Sequence, residues 1–167
     1  VLLTVMFVTA ACSGGTTPTS TTAPVDPNAV IKIGVADLPP TAAPSGGVGS
    51  PGQYVWAQIY DAITYIGPDG KVQPMLATSW TNPAPTQWVF KIRTGVTFSN
   101  GEPADAAAAA ADITYLISPP GKALFPAHTG NYTFITSAAA SNATTLTITT
   151  KTPNLLVPQL TADRTTT

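Results

Sequence analysis

Two rhythms of apolar and polar residues run along this chain, one of period two and one of period three to four, and proline and glycine punctuate both. Val30, Ile31, Ile33 and Val35 form a β-branched run interrupted only by Lys32, the pattern of a buried strand over residues 30–36. Pro39 and Pro40 stop it, since neither donates to a ladder. Residues 41–52, rich in Gly, Pro, Ser and Ala, read as loop. Tyr54, Val55, Gln58, Ile59, Ala62 and Ile63 then recur at helical spacing and predict a helix with an apolar stripe. Gly67, Pro68, Asp69 and Gly70 are turn chemistry. Over 87–93 the alternation puts Trp88, Phe90 and Ile92 on one face and Val89, Lys91 and Arg93 on the other. A turn at Thr94-Gly95 leads to a short strand at Val96, Thr97 and Phe98, and residues 99–102 turn again. Asp105 precedes six alanines, the strongest helix formers, and predicts a capped helix that runs on to Ile117. Ser118, Pro119, Pro120 and Gly121 end it. Residues 132–135 and 144–149 read as late strands, and Leu155, Leu156, Val157 and Leu160 as a short apolar segment. The fold class is mixed α and β, with Trp80, Trp88, Phe90 and Phe98 expected in the core.

The first residues follow neither rhythm. Val1 to Phe7 begin an apolar run too short for a bilayer-spanning helix, which needs about 20 residues. The run suits the apolar part of a secretory signal. Thr9-Ala10-Ala11-Cys12, followed by Ser13-Gly14-Gly15, resembles a bacterial lipobox, with Cys12 as the lipid attachment site. The alternative is a lone buried Cys acting as a small hydrophobe, which the Ser/Gly-rich sequence after it disfavours. Residues 13–29 contain no large apolar side chain before Val25 and read as a Ser/Thr/Pro tether. The same composition would suit an O-glycosylated stalk. Both readings place the folded part outside the cell membrane.

Composition narrows the chemistry. Charged residues are only 9%, against about 25% in an average globular chain, and the net charge is −1. No basic stripe exists to displace counterions from phosphate, so nucleic acid is not an expected partner. One Cys and one His cannot make an internal disulfide or a zinc site, and no metal or other cofactor is expected. The phosphate loop, the dinucleotide fingerprint and the nucleophile elbow are absent from the sequence. A Ser-His-Asp site using His128 is arithmetically possible, because geometry defines such a site, but no nucleophile motif accompanies it. The chain is therefore read as a non-enzyme. Asp105 and Asp112 lie seven residues apart and share a helix face, more simply as a cap and a solvated residue than as an acid–base pair. Trp56, Trp80 and Trp88 could line a sugar or peptide site, but at helix and strand positions they are more often core. Asn131-Tyr132-Thr133 and Asn142-Ala143-Thr144 match the glycosylation sequon; the lipobox points to a bacterium, so both are set aside.

One ordered set of residues carries more. Ile59-Tyr60-Asp61-Ala62-Ile63 is followed by Pro68-Asp69-Gly70-Lys71-Val72-Gln73-Pro74-Met75-Leu76-Ala77-Thr78-Ser79-Trp80, and then by the alternating strand that continues to Phe98-Ser99-Asn100-Gly101-Glu102-Pro103. This series resembles the extracellular solute-binding proteins of the dipeptide/oligopeptide/nickel class, which serve ABC importers. Pro40-Thr41-Ala42-Ala43-Pro44 is similar to that family's P-T-L-D-P, with Ala42-Ala43 replacing Leu-Asp. Lys151-Thr152-Pro153-Asn154 is similar to its later L-x-x-P-N. Thr94 stands where the family has the Asp of R-D-G.

The resemblance implies a partial periplasmic-binding-protein-like lobe of type II with an accessory subdomain, α+β within this stretch. It also implies a domain plan: signal peptide and lipobox over 1–12, tether over 13–29, the N-terminal part of a solute-binding domain over 30–163, and a truncated end over 164–167. Family members close two lobes around their ligand, and this sequence is expected to hold the opening strand of one lobe and most of the accessory subdomain. The implied function is capture of short peptides or a similar small solute and delivery to ABC permease subunits, with attachment to the membrane through a lipid anchor. The implied location is extracytoplasmic, in the periplasm or on the outer face. By the same resemblance Asp37, Leu38 and Pro39 lie in the loop at the carboxyl end of the first strand, where open α/β sheets place ligands; the plainer reading is that the prolines merely end the strand. The alternatives are a regulatory or interaction lipoprotein on the same scaffold and an extracytoplasmic enzyme using His128.

Overall fold

The computed structural model describes residues 26–30, 32–34, 50–125 and 130–162. The chain divides into two compact units, Val1–Gly34 and Val35–Thr167. In the first, Asp26 folds the backbone into a turn: its carbonyl accepts from the Ala29 amide at 3.1 Å and its Oδ1 from the Asn28 amide at 2.8 Å. The strand expected over 30–36 is not found at its described residues. Val30, Lys32, Ile33 and Gly34 have no regular structure, and Val30 and Ile33 are 80% and 77% exposed. An apolar run becomes a strand only where its amides and carbonyls find a ladder, and no ladder forms here. Ile31, Val35 and Ala36 lie outside the described residues.

The first described element of the second unit is helix α1, Ser50–Ile59. It stops before Ala62 and Ile63, which the helical spacing had included. Both are fully buried, and their carbonyls accept from the Leu76 amide at 3.1 Å and the Ala77 amide at 2.8 Å. Adjacent apolar residues fit a strand start as well as a helix face, and these backbone bonds decide for the extended form. Strands β1, Thr64–Ile66, and β2, Val72–Pro74, make a small hairpin. Its turn places Gly70 at φ +75°, a conformation cheap only for glycine.

Four strands make the main sheet: β3, Ala77–Ala84; β4, Gln87–Ile92; β5, Ile135–Asn142; and β6, Thr145–Thr150. Their order is β3-β4-β6-β5 and every pairing is antiparallel. The alternation read in β4 holds, with Trp88, Phe90 and Ile92 all buried. On β6 the same face carries Leu146, Ile148 and Thr150, and the pairs Phe90↔Leu146 and Trp88↔Ile148 stack the two strands' core residues across the ladder. The edge strands are mostly exposed and kinked by register shifts, and Pro83 sits on β3, where an edge tolerates it. The late strand expected at 132–135 begins instead at Ile135, after a 3-10 turn at Gly130–Tyr132.

Helix α2, Ala106–Ile117, starts where the cap places it: Asp105 Oδ1 accepts from the amides of Ala107 at 2.9 Å and Ala108 at 3.0 Å. It buries Ala106, Ala109, Ala110, Ile113 and Leu116 and packs on β5 and β6. Its small side chains allow a close approach to the sheet. Ser118 ends α2 and caps α3, Pro119–Leu124, whose first position suits proline because the missing amide would have no partner there. Gly121 is required at that corner, since a Cβ would run into the Tyr115 carbonyl. The last apolar segment forms helix α4, Val157–Leu160. Thr64 ties it to β1: its buried hydroxyl donates to the Pro158 carbonyl at 2.6 Å and lies 3.1 Å from the Thr161 hydroxyl.

The expected core is corrected at one member. Trp88 and Phe90 are buried and Trp80 packs partly against them, but Phe98 is 40% exposed. Residues 97–103 make only an isolated bridge, Thr97↔Pro103, not a paired strand, so nothing lays Phe98 against the sheet.

Candidate functional site

A cavity of about 450 Å³ opens between the end of α1, the loop at 96–99 and the first two turns of α2. Helical geometry builds one wall. Asp105, Ala108, Ala109 and Asp112 stand at spacings of three and four, so all four face the same side. The two alanines leave the space that larger side chains would fill. The opposite wall carries Ile59, Tyr60 and Asp61, and the loop contributes Val96 and Phe98.

The two helix carboxylates share this face, as their spacing predicts, but differ in what holds them. Asp105 is engaged by backbone amides at the helix start, where a negative charge also meets the positive end of the helix dipole. Asp112 lies beyond that first turn. Its Oδ2 is buried and has no hydrogen-bond partner. Burial pushes its pKa up from 3.8 to about 7, because the ionised form loses its hydration. The sequence reading of Asp112 as a solvated residue is thus corrected: its Oδ2 is removed from water, in a cavity that residues of α1 and the 96–99 loop also line.

Chemically, the cavity is lined by hydroxyls, carboxylates and apolar side chains. Among the described residues its lining has hydroxyls at Tyr60, Thr97 and Ser99, three carboxylates, and no Cys, His, Lys or Arg. Among the described residues no three His, Cys, Asp or Glu side chains gather closely enough to hold a metal ion. The tryptophans serve the core instead of a stacking surface. Trp56 is 5% exposed; Trp88 is buried, with its Nε1 donating to the Asn154 carbonyl at 2.9 Å; Trp80 packs on Phe90 at 6.2 Å between ring centroids. Cys12, Asp37, Leu38, Pro39 and His128 lie outside the described residues. Sequence reasoning missed the cavity. The available signal was the run of small residues between two aspartates on one helix face.

Comparison with known proteins adds a family frame. The family model described as bacterial extracellular solute-binding proteins, family 5 Middle, matches residues 71–166, more than half of the chain. Over 58 residues the chain is 43% identical to the nickel-binding periplasmic protein of Escherichia coli (strain K12), an alignment that covers 34% of this chain and 11% of that protein. The solved structure of the Escherichia coli murein tripeptide binding protein MppA is similar with a TM-score of 0.70 and 22% identity, over 78% of this chain and 28% of that one. NikA from Brucella suis, solved in complex with Fe(III)-EDTA, is similar with a TM-score of 0.61 and 27% identity, over 74% of this chain and 25% of that one. The chain thus spans roughly a quarter of the length of these solved proteins. Its mixed α/β architecture is that of part of a type II periplasmic binding protein.

Proposed function

The chain belongs to the bacterial extracellular solute-binding proteins of family 5, and from that premise we propose that it is part of the substrate-binding component of an ABC import system. In this reading the whole protein captures short peptides or a similar small solute outside the membrane and hands it to permease subunits. It acts by binding and release, without catalysis. The observation that carries the reading is the family match over 71–166, which falls on the consecutive hairpins, sheet and capped helix of the second unit. Similar structures support a peptide solute: one is a murein tripeptide binding protein, and OppA of Haemophilus influenzae is seen with the peptide RPPGFSPFR. A second reading, a nickel complex as the solute, is favoured by the 43% identity to the nickel-binding protein.

The domain plan belongs to the same proposal. Residues 1–12 act as a lipoprotein signal ending at Cys12, residues 13–29 tether the domain to the membrane, and residues 30–163 are the N-terminal part of the solute-binding domain. Asp37, Leu38 and Pro39 contact the solute from the loop that follows residues 30–36.

The test is calorimetry on the protein encoded by the complete reading frame, titrated with a tripeptide and separately with a nickel–histidine complex. Saturable tripeptide binding that weakens more than tenfold, about 1.4 kcal/mol, in an Asp37→Ala/Leu38→Ala double variant supports the peptide reading and its site. Binding of the nickel complex alone selects the second reading. Binding of neither refutes the proposal.

A further inference from the structure

The turn over residues 98–102 carries a reactive pair that capture of a solute does not use. Asn100-Gly101 is the one Asn-Gly step in the sequence. Residues 97–103 are all exposed, so water reaches them. The Phe98 amide donates to the Glu102 carbonyl at 2.8 Å and the Gly101 amide to the Phe98 carbonyl at 2.9 Å. With Gly101 at φ +88°, this is a three-residue hairpin loop ending in a left-handed glycine. The Asn100 side chain folds back over it. Its Oδ1 accepts from the Glu102 amide at 3.0 Å and its Nδ2 donates to Glu102 Oε2 at 3.0 Å.

Asparagine is chemically labile, because the next residue's backbone nitrogen can attack its Cγ and close a five-membered succinimide. Asn100, Asn142 and Asn154 are held alike for that attack. Each accepts at Oδ1 from the amide two residues on, at 3.0, 2.9 and 2.9 Å. That donor polarises the carbonyl and would stabilise the negative charge that attack places on its oxygen. The three differ in the attacking residue. Ala143 and Leu155 carry a Cβ beside the nitrogen, and Gly101 carries none. Beyond its chain neighbours, no atom comes within 4 Å of the place a Gly101 Cβ would take.

The turn at 67–71 shows what the product would do. It has the same build: the Gly67 amide donates to the Lys71 carbonyl at 2.8 Å and the Gly70 amide to the Gly67 carbonyl at 2.9 Å. At the position of Asn100 it carries Asp69, whose Oδ1 accepts from the Lys71 amide at 3.1 Å. An Asp therefore fits this turn, but there Lys71 answers it, with Nζ 3.6 Å from Asp69 Oδ2. In the second turn the answering residue is Glu102. A carboxylate at 100 would lose the hydrogen bond from Nδ2 and face a like charge.

We propose that Asn100 is a site of spontaneous deamidation whose products loosen the turn that carries Phe98. The Gly101 nitrogen gives its proton to solvent base and bonds to Asn100 Cγ. The Cγ–Nδ2 bond breaks, and that nitrogen takes up a proton and leaves as ammonia. Water then opens the succinimide at Cγ, which yields Asp, or at the main-chain carbonyl, which yields isoaspartate. Both products set a new carboxylate against Glu102. Isoaspartate also lengthens the main chain by one atom between Phe98 and Glu102, whose pairing closes the turn. The modification is independent of what the whole protein transports.

The test holds the full chain at pH 8 and at pH 5 and follows its peptides by mass spectrometry, with isoaspartate separated from Asp by chromatography. At pH 8 the Gly101 nitrogen loses its proton more readily. Asn100 should then convert at least tenfold faster than Asn142 and Asn154, and at least tenfold faster than at pH 5. Amide exchange reads the loosening. The Phe98 amide should exchange about threefold faster in Asn100→Asp than in the parent, the scale of an exposed charge pair. Adding Glu102→Gln should restore the parent rate. Equal conversion of the three asparagines, or an Asn100 that converts in urea and persists in the folded chain at pH 8, would overturn the proposal. Parental exchange at Phe98 in Asn100→Asp would overturn the loosening of the turn.

Discussion

Replacing Asp112 with Asn should flatten the dependence of stability on pH between about 4 and 7. Burial holds the Asp112 carboxyl at a pKa of about 7 in the folded chain, against 3.8 when it is free in water. Between those values the unfolded chain releases the proton and the folded chain keeps it. The unfolded state then binds fewer protons, so the free energy of unfolding falls as pH rises. Below 3.8 both states are protonated and nothing is lost; above about 7 both are ionised and the full penalty stands. At about 1.36 kcal/mol per pH unit, the interval amounts to about 4 kcal/mol. That is a large part of the about 5–15 kcal/mol by which a domain is stable. Asn keeps the shape and cannot ionise, so the variant escapes this slope. Its buried amide still lacks a partner, at a cost of about 1–3 kcal/mol, which leaves a net gain of about 1–3 kcal/mol at pH 8. Urea unfolding at pH 4, 5, 6, 7 and 8, followed by tryptophan fluorescence, measures both chains, with the buried Trp56 and Trp88 as reporters. Tyr60, Asp61 and Asp105 also line the cavity and remain in both chains, so their contributions cancel in the difference. Parallel curves for parent and variant would refute the reasoning, because Asp112 would then be as well solvated folded as unfolded.

Phe90→Ala should cost about 3–5 kcal/mol in the same urea assay, since Phe90 is fully buried and paired with Leu146 at the centre of the sheet; a loss within about 0.5 kcal/mol would contradict that packing. For the proposed lipid anchor, labelled fatty acid should enter the protein expressed in a bacterial host with a complete leader and should not enter Cys12→Ala. Equal labelling of the two would remove the lipobox reading.

What could be read in the sequence was whatever the chain settles locally. The cap at Asp105, the alanine run and the Ser118-Pro119-Pro120 stop act within a turn or two, and α2 lies where they put it. The alternation of β4 likewise names its own buried face. Strand β3 is different. Its exposed edge carries Thr, Ser, Asn and Pro with little alternation, and it is a strand because β4 offers it a ladder. Residues 30 and 32–34 are the reverse case, part of a run apolar enough for a strand and without regular structure. Strand β5 takes alanines that favour helix because β6 pairs with them and α2 packs on them. Tertiary neighbours override the local preference in all three.

The same division runs through the cavity. Spacing alone places Asp105 and Asp112 on one face of α2, and the cap explains Asp105 from sequence. The environment of Asp112 depends on α1, which begins 62 positions earlier at Ser50, and on a loop whose Phe98 turns out not to be core. A carboxylate on a helix of alanines reads as solvated because nothing within one turn can bury it. Its Oδ2 becomes buried and unpartnered only in the folded chain, beside a cavity that α1 and the 96–99 loop also line. Its chemistry is therefore a property of the packing between elements, and substitutions in α1 or at Phe98 should alter the titration of Asp112 without touching α2.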